Sequence, residues 1–319
     1  MALDKSQVIP ELPSGVKTAV TVGTFDGVHE GHLAILEQLH QAADSRGLRS
    51  MVITFDPHPR HVLQPDSDIR LLTATRAKLR LLAETGIDYT AVLAFSREFS
   101  QVSAERFVID YLIGRFNMNC LVMGYDHAFG KDRAGGEGVL AELSKVYAFD
   151  LIKVPPVIRQ DAPVSSTRIR RALAQGDMQQ AAGLLGRLYT IGGTVVTGAG
   201  RGRKLGHPTA NIRSSERGRE VIPHGIYAAA VDLDGVMMPG ALHYGPRPTF
   251  DEQDSTMELN LFDYQGDLYG RELEVAVVEK IRPILSFSGA EELTQQMDED
   301  DKTIKSAFER LGPGFNSTG

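Results

Sequence analysis

At 319 residues the chain has room for about two domains, at a prior of roughly 150 residues each, which excludes a small module stapled by disulfides or metal. Apolar residues make up 42% and charged residues 24%, ordinary globular values that exclude a disordered, collagenous or low-complexity chain. The net charge of −7, from 34 basic and 41 acidic residues, argues against broad adhesion to nucleic acid or an anionic membrane; local basic loops can still take small anionic ligands.

The lone cysteine, Cys120, lies in the apolar run Cys120-Leu121-Val122-Met123. It forms no intrachain disulfide, so a reducing compartment and a buried, inert thiol are expected. Residues 1–11 lack the apolar core of a signal peptide, and no stretch approaches the roughly 18 apolar residues of a membrane span. A cytoplasmic location is expected.

In chain order, β-rich runs at 19–23, 50–55, 90–95, 120–124 and 151–154 alternate with helical patterns. Leu33, Leu36 and Leu39 repeat at helical spacing, 75–84 ends at Gly86, Ser103 can cap 104–116, and 137–147 supplies another helix. Alternation of this kind predicts a parallel sheet covered on both faces, with ligands beyond the carboxyl ends of its strands. Two short helices follow at 167–174 and 178–185. From 187 to 282 the composition shifts to glycine turns, such as Asp234-Gly235 and Gln265-Gly266-Asp267, and to β-branched runs, which predicts an antiparallel barrel or compact sandwich. Ser288 followed by Glu291 has the pattern of a capping box and opens a final helix to about Leu311.

The strongest local signal is Gly23-Thr24-Phe25-Asp26-Gly27-Val28-His29-Glu30-Gly31-His32, between the first strand and the first helix. Glycines at 23, 27 and 31 let backbone approach a ligand, and the helix presents free N–H groups and a positive dipole end. His29 and His32 share a face of the first turn, where both can donate to a polyphosphate. A metal site is the next alternative, but the other histidines are scattered and no Cys or carboxylate cluster completes a shell.

The His-x-Gly-His pattern resembles the nucleotidyltransferase superfamily, which transfers a nucleotide from its triphosphate and releases pyrophosphate. Class I aminoacyl-tRNA synthetases share the pattern but add a Lys-Met-Ser-Lys-Ser-like loop that this chain lacks. It carries instead Ser165-Ser166-Thr167-Arg168-Ile169-Arg170 at a helix start, hydroxyls and guanidiniums suited to a second phosphate clamp or, more simply, a cap with solvated arginines. With Asp56-Pro57-His58-Pro59 and Gly124-Tyr125-Asp126-His127-Ala128-Phe129-Gly130 in between, the motifs occur in the order found in the prokaryotic bifunctional riboflavin kinase/FMN adenylyltransferases, or FAD synthetases, which the chain resembles throughout.

That resemblance implies a Rossmann-like α/β nucleotidyltransferase domain with a parallel sheet at 1–185, and at 186–319 an antiparallel β-barrel riboflavin kinase domain with a terminal helix. It implies that His29 and His32 bind the ATP phosphates. Gly23, Thr24, Phe25, Asp26 and Gly27 would line the nucleotide site. Gly124, Asp126, Gly130 and Arg133 would border the nucleotide and flavin, and Ser165, Ser166, Thr167 and Arg168 would close on phosphate. Asp56-Pro57-His58-Pro59 would shape a flavin-side loop, or serve only as a rigid turn. FMN already carries an anionic phosphate, so adenylylation needs alignment and charge stabilisation rather than a base.

In the second half the basic glycine loop 198–206 runs into Pro208-Thr209-Ala210-Asn211. Read alone it is a phosphate loop or a solvated hairpin; Thr209 and Asn211, two apart on a strand, share a face and can ligate Mg²⁺. It is no Walker A loop, because Gly-Lys-Ser/Thr is missing. Gly-Arg-x-Lys-Leu-Gly-x-Pro-Thr-Ala-Asn resembles the flavokinase signature, which implies that Gly198, Arg203, Lys204, Gly206 and Pro208 hold ATP and that Thr209 and Asn211 hold its Mg²⁺. By the same resemblance Glu258, in Thr256-Met257-Glu258-Leu259-Asn260, is the catalytic base. The chain departs from the family at His243-Tyr244-Gly245, where Asn-Ile-Gly is usual, at His207, where an aromatic is common, and at Gly136, where an acidic residue is common.

The expected activity is phosphorylation of riboflavin to FMN and adenylylation of FMN to FAD, with Mg²⁺ and with ATP as co-substrate. Two alternatives are an FMN adenylyltransferase with a flavin-binding but inactive kinase-like domain and a non-catalytic flavin module. No nucleic-acid or membrane partner is expected, and the chain should be a monomer or weak homo-oligomer.

Overall fold

The computed structural model describes residues 7–9, 12–66, 69–125, 129–131, 135–198, 206–214, 221–247 and 252–311. It divides into two compact units, Met1–Ser166 and Thr167–Gly319.

The first unit runs β1 (Gln7–Val8), β2 (Thr18–Val22), α1 (Glu30–Arg46), β3 (Arg49–Asp56), α2 (Pro59–Leu63), α3 (Thr75–Glu84), β4 (Tyr89–Ala94), α4 (Ala104–Arg106), β5 (Met118–Gly124), α5 (Glu137–Tyr147) and β6 (Asp150–Val154), then the small pair β7 (Ile158–Arg159) and β8 (Ala162–Pro163). Strands β1 to β6 form one parallel sheet in the order β1-β4-β3-β2-β5-β6. The five expected strands are present, and β1 adds a sixth at one edge. With only Gln7 and Val8 paired, to Tyr89 and Thr90, it carries no readable alternation.

Burial on both faces explains the uninterrupted apolar runs of the central strands. Val20, Val22, Met51, Ile53 and Leu121 pack with Phe107, Val108 and Leu140, while Ala19, Val52, Cys120 and Val122 pack on the other face with Leu36, Leu39 and Leu82. Ser103 caps α4 as expected, its Oγ accepting the Arg106 amide at 3.2 Å, but the helix continues as a π-helical stretch over Phe107–Ile113. Between β2 and β5 the strand order reverses direction, and a ligand crevice opens at such a point beyond the carboxyl ends of the strands.

The second part runs α6 (Ser166–Gln175), α7 (Met178–Leu185), β9 (Tyr189–Val196), β10 (Ala210–Ser214), β11 (Gly225–Leu233), β12 (Val236–Arg247), β13 (Glu252–Leu261), β14 (Glu272–Arg282) and α8 (Ala290–Leu311). The six strands close into an antiparallel barrel, β10-β13-β12-β11-β14-β9, which decides between the barrel and the sandwich. Registered neighbours Tyr227, Leu242 and Leu259 fill its interior with Tyr244, Met257, Val275 and Val277. On the outside Ala228 and Ala230 meet Ile304, Ala307 and Phe308 of α8, so β11 is buried on both faces.

Arg282 on β14 clasps Asp300 on α8 through two nitrogens, Nε–Oδ1 at 2.8 Å and Nη2–Oδ2 at 2.7 Å. The expected capping box of Ser288 and Glu291 does not form: Glu292, not Glu291, accepts from the Ser288 amide at 2.9 Å and hydroxyl at 2.7 Å, so the serine oxygen donates instead of capping a helix amide. The helix begins at Ala290, which makes Glu292 its third residue and the one that reaches back. At Asp234-Gly235 both residues have positive φ, 57° and 90°, as a tight hairpin turn between β11 and β12 requires.

Candidate functional site

Leaving β2, residues 23–29 form a loop anchored on several sides. The Gly23 amide donates to Ile53 O at 3.0 Å, and Gly27 donates to Thr73 Oγ1 at 3.1 Å. Asp26 is buried, and its Oδ1 accepts the Leu72 and Thr73 amides at 2.8 and 3.2 Å. Phe25 (φ 48°), Gly27 (φ 90°) and Val28 (φ 37°) are all left-handed, and the ring of Phe25 is sunk in the core, so only its backbone addresses a ligand. Successive amides in such a turn make an anion-binding concavity.

His29 caps α1 with its side chain rather than a hydroxyl. Its Nδ1 accepts the His32 amide at 3.3 Å, and His32 Nδ1 accepts the His29 amide at 3.4 Å, a reciprocal capping box. With both Nδ1 atoms accepting, each neutral ring carries its proton on Nε2, which becomes the donor toward an anion at the helix start. The expectation that all three glycines serve ligand approach is met differently. Gly27 supplies the positive φ, whereas a Cβ on Gly31 would sit 3.2 Å from the His29 ring and one on Gly23 would sit 3.0 Å from the Phe25 ring.

The hairpin β7–β8 brings Ser165 and Ser166 toward this loop. Arg159 on the hairpin pairs with Glu30 on α1 at 2.7 Å, and Ser166 Oγ donates to Asp26 O at 3.0 Å. Thr167 and Arg168 follow in the first turn of α6 and belong to the second unit. Gly124 ends β5, and Gly130 (φ 76°) backs onto Ala104, whose amide nitrogen would lie 2.6 Å from a Cβ there. Asp126 and Arg133 lie outside the described residues.

A residue that the sequence reading missed lies under the same loop. Lys78 on α3 is 5% exposed, and its Nζ donates to Thr24 O at 3.1 Å, Thr54 Oγ1 at 2.9 Å and Phe55 O at 3.3 Å. Burial pulls its pKa below the ordinary lysine value, opposed by the charges of Asp26 and Asp56. Its signal in the sequence was a lysine four residues before Leu82, on the buried face of α3.

In the second unit Thr209 Oγ1 donates to Glu258 Oε2 at 3.1 Å. Asn211 on β10 stands in register with Glu258 on β13, and His243 on β12 stands in register with it from the other side. Registered residues share a sheet face, so Asn211, Glu258 and His243 lie side by side on the outer face of the barrel. The segment leading to Thr209 is fixed by Asn260 Nδ2, which donates to Pro208 O at 2.7 Å, and by buried His207, which meets Asp298 at 3.2 Å and Asp301 at 3.4 Å on α8. Burial raises the Asp301 pKa, and the adjacent His207 and Lys305 oppose that rise. Gly198 backs onto the Asn211 amide, where a Cβ would collide at 2.0 Å, and Gly206 has φ 84°. Arg203 and Lys204 lie outside the described residues.

Two family models cover these units in turn: FAD synthetase over residues 13–168 and riboflavin kinase over residues 185–308. A bifunctional riboflavin kinase/FMN adenylyltransferase from Listeria monocytogenes is 37% identical over 302 residues, spanning 93% of this chain and 94% of the relative. The chain belongs to the bifunctional riboflavin kinase/FMN adenylyltransferase family. Members from Escherichia coli, 36% identical over 91% of this chain and 92% of the relative, and from Bacillus subtilis, 34% identical over 92% and 94%, agree. A crystal structure described as a macrolide-efflux protein from Streptococcus pneumoniae superposes with a TM-score of 0.82 at 30% identity, covering 94% of this chain and 98% of that one. Among the described residues no helix is long and apolar enough to cross a membrane, and no three His, Cys, Asp or Glu side chains gather as a metal shell. For this member of the riboflavin kinase/FMN adenylyltransferase family, the hard oxygens of Thr209 and Asn211 beside Glu258 are the donor set that suits Mg²⁺, a cation that keeps several waters and shares substrate phosphates.

Proposed function

We propose that the chain makes FAD in two ATP-dependent steps: riboflavin and ATP give FMN and ADP in the barrel, and FMN and ATP give FAD and pyrophosphate at the histidine loop. The observation that supports this reading is that each unit carries its own cluster of the expected residues, the stacked His29–His32 pair in one and the Thr209–Glu258 hydrogen bond in the other. We take 1–185 as the adenylyltransferase domain and 186–319 as the kinase domain, in the cytoplasm and as a monomer or weak homo-oligomer.

In the barrel, Glu258 removes the proton of the primary alcohol of riboflavin as the oxygen attacks the γ-phosphorus. The Thr209 hydroxyl gives its one proton to Glu258, which leaves its lone pairs for the cation, and Asn211 adds a second oxygen. Mg²⁺ bound there neutralises charge on the ATP phosphates. Gly198, Arg203, Lys204, Gly206 and Pro208 complete the nucleotide cradle.

At the histidine loop the phosphate of FMN is itself the nucleophile toward the α-phosphorus, so no base is needed. His29, His32 and the Phe25 amide hold the leaving pyrophosphate, joined by Ser165 and Ser166. Gly124, Asp126, Gly130 and Arg133 border the nucleotide and flavin.

Chromatography of the flavins formed from riboflavin, and in parallel from FMN, with ATP and Mg²⁺ tests the proposal. FAD in both reactions is the expected result. FAD from FMN alone assigns a kinase-like domain that only binds flavin, and flavin binding without ATP consumption in either reaction overturns the proposal.

A further inference from the structure

We propose that Lys78 is a positioning residue for adenylyl transfer: its buried ammonium turns the Thr24 carbonyl inward and thereby aims the Phe25 amide at the phosphate chain of the bound nucleotide. This rests on the reading of the histidine loop as the polyphosphate site.

An ammonium has three donors, and Lys78 spends all three on Thr24 O, Thr54 Oγ1 and Phe55 O. Buried as it is, it has no proton left for a ligand, so it acts through the loop. Thr54, itself fully buried, donates its hydroxyl to the same Thr24 carbonyl at 3.2 Å, which is therefore gripped twice. The Thr24–Phe25 peptide is trans, so its carbonyl and its N–H point in opposite directions. A carbonyl drawn down to Lys78 sends the Phe25 N–H up, away from the sheet, and that N–H has no acceptor among the described residues.

Phe25 sits at φ 48°, a sparsely populated conformation for a residue with a side chain, and such a conformation persists only where surrounding contacts impose it. Lys78 and Thr54 impose it from below on one side of the loop, and the Leu72 and Thr73 amides on Asp26 impose it from the other. A cation at this place also offsets the buried carboxylate of Asp26 beneath a site built for anions.

The test uses the full chain and inorganic pyrophosphate as probe. In Lys78→Met, pyrophosphate affinity should fall about tenfold and the KM for ATP in FAD formation should rise by a similar factor. kcat should change by less than about threefold, and FMN formation from riboflavin should stay within twofold of the parent. Thr54→Val keeps the charge and removes one grip on Thr24, with an expected loss of about threefold in the same direction. His32→Ala checks the site itself: if it keeps parental pyrophosphate affinity and FAD formation, the polyphosphate reading of the loop falls. If His32→Ala loses affinity while Lys78→Met and Thr54→Val retain it, the positioning role is overturned. Should Lys78→Met abolish the thermal transition of the first unit, Thr54→Val decides alone, and parental affinity in it overturns the proposal.

Discussion

His29 and His32 stack face to face, with ring centroids 3.6 Å apart and planes within 12° of parallel, while each ring accepts the other residue's backbone amide. Neither ring can rotate without losing a cap of α1. His29→Asn keeps a capping acceptor but removes a ring donor, so helix stability should hold while FAD formation from FMN drops by on the order of 100-fold. The measurement is flavin chromatography beside a thermal melt.

Gly31→Ala should act on the ring, not on the helix. Alanine is the better helix former, yet its Cβ would press on the His29 ring at 3.2 Å. The expected result is little net change in thermal stability, alanine's helix preference offsetting a weakened His29 cap, with a loss of about tenfold in FAD formation.

Glu258→Gln should reduce FMN formation by about 10² to 10⁴-fold, the usual worth of a positioned base, with riboflavin binding retained. FAD formation supplied with FMN should be unaffected, which separates the two sites in one preparation.

Burial raises the Cys120 thiol from an ordinary value of 9.0 to about 11, because the thiolate is poorly solvated between the sheet and α1. The native state therefore holds this proton more tightly than the unfolded chain. The associated stabilisation is complete below pH 9 and is lost as pH rises through about 11. Thiol titration should find Cys120 unreactive in the native protein at pH 8 and fully reactive in urea, and Cys120→Ala should remove that part of the alkaline loss of stability.

Asp300→Asn leaves the Arg282 guanidinium half-paired in a site where the two side chains are only 7% and 14% exposed. Breaking a buried pair in this way costs on the order of 3 kcal/mol. Urea unfolding of the second unit should shift accordingly, and α8 should become sensitive to proteolysis first.

Much of this was written plainly in the chain. The five long strands of the sheet announce themselves by apolar runs, and the stretch from Gly23 to His32 by its glycines and paired imidazoles. What escaped was set by contacts distant in sequence. β1 is held by two residues of pairing, and the π-helical turn at Phe107–Ile113 has no pattern distinct from an α-helix. Glu292 rather than Glu291 reaches back to Ser288 because the helix begins later than the serine indicated. Lys78 belongs to no motif, and only the fold sets it under Thr24. His207 and His243 stood out as departures, but only the barrel register shows one beside Glu258 and the other clamped by Asp298 and Asp301.

The anchoring of residues 23–29 bears on engineering. A loop whose shape were written in its own sequence could be transplanted as a cassette. Here the shape is borrowed from Ile53, Thr54, Leu72 and Thr73, which lie on other segments of the chain. A graft of the ten residues from Gly23 to His32 onto a foreign sheet would carry the imidazoles and lose the conformation that makes them useful. The smallest portable part is a discontinuous set, with β3 and the approach to α3 travelling along with the loop.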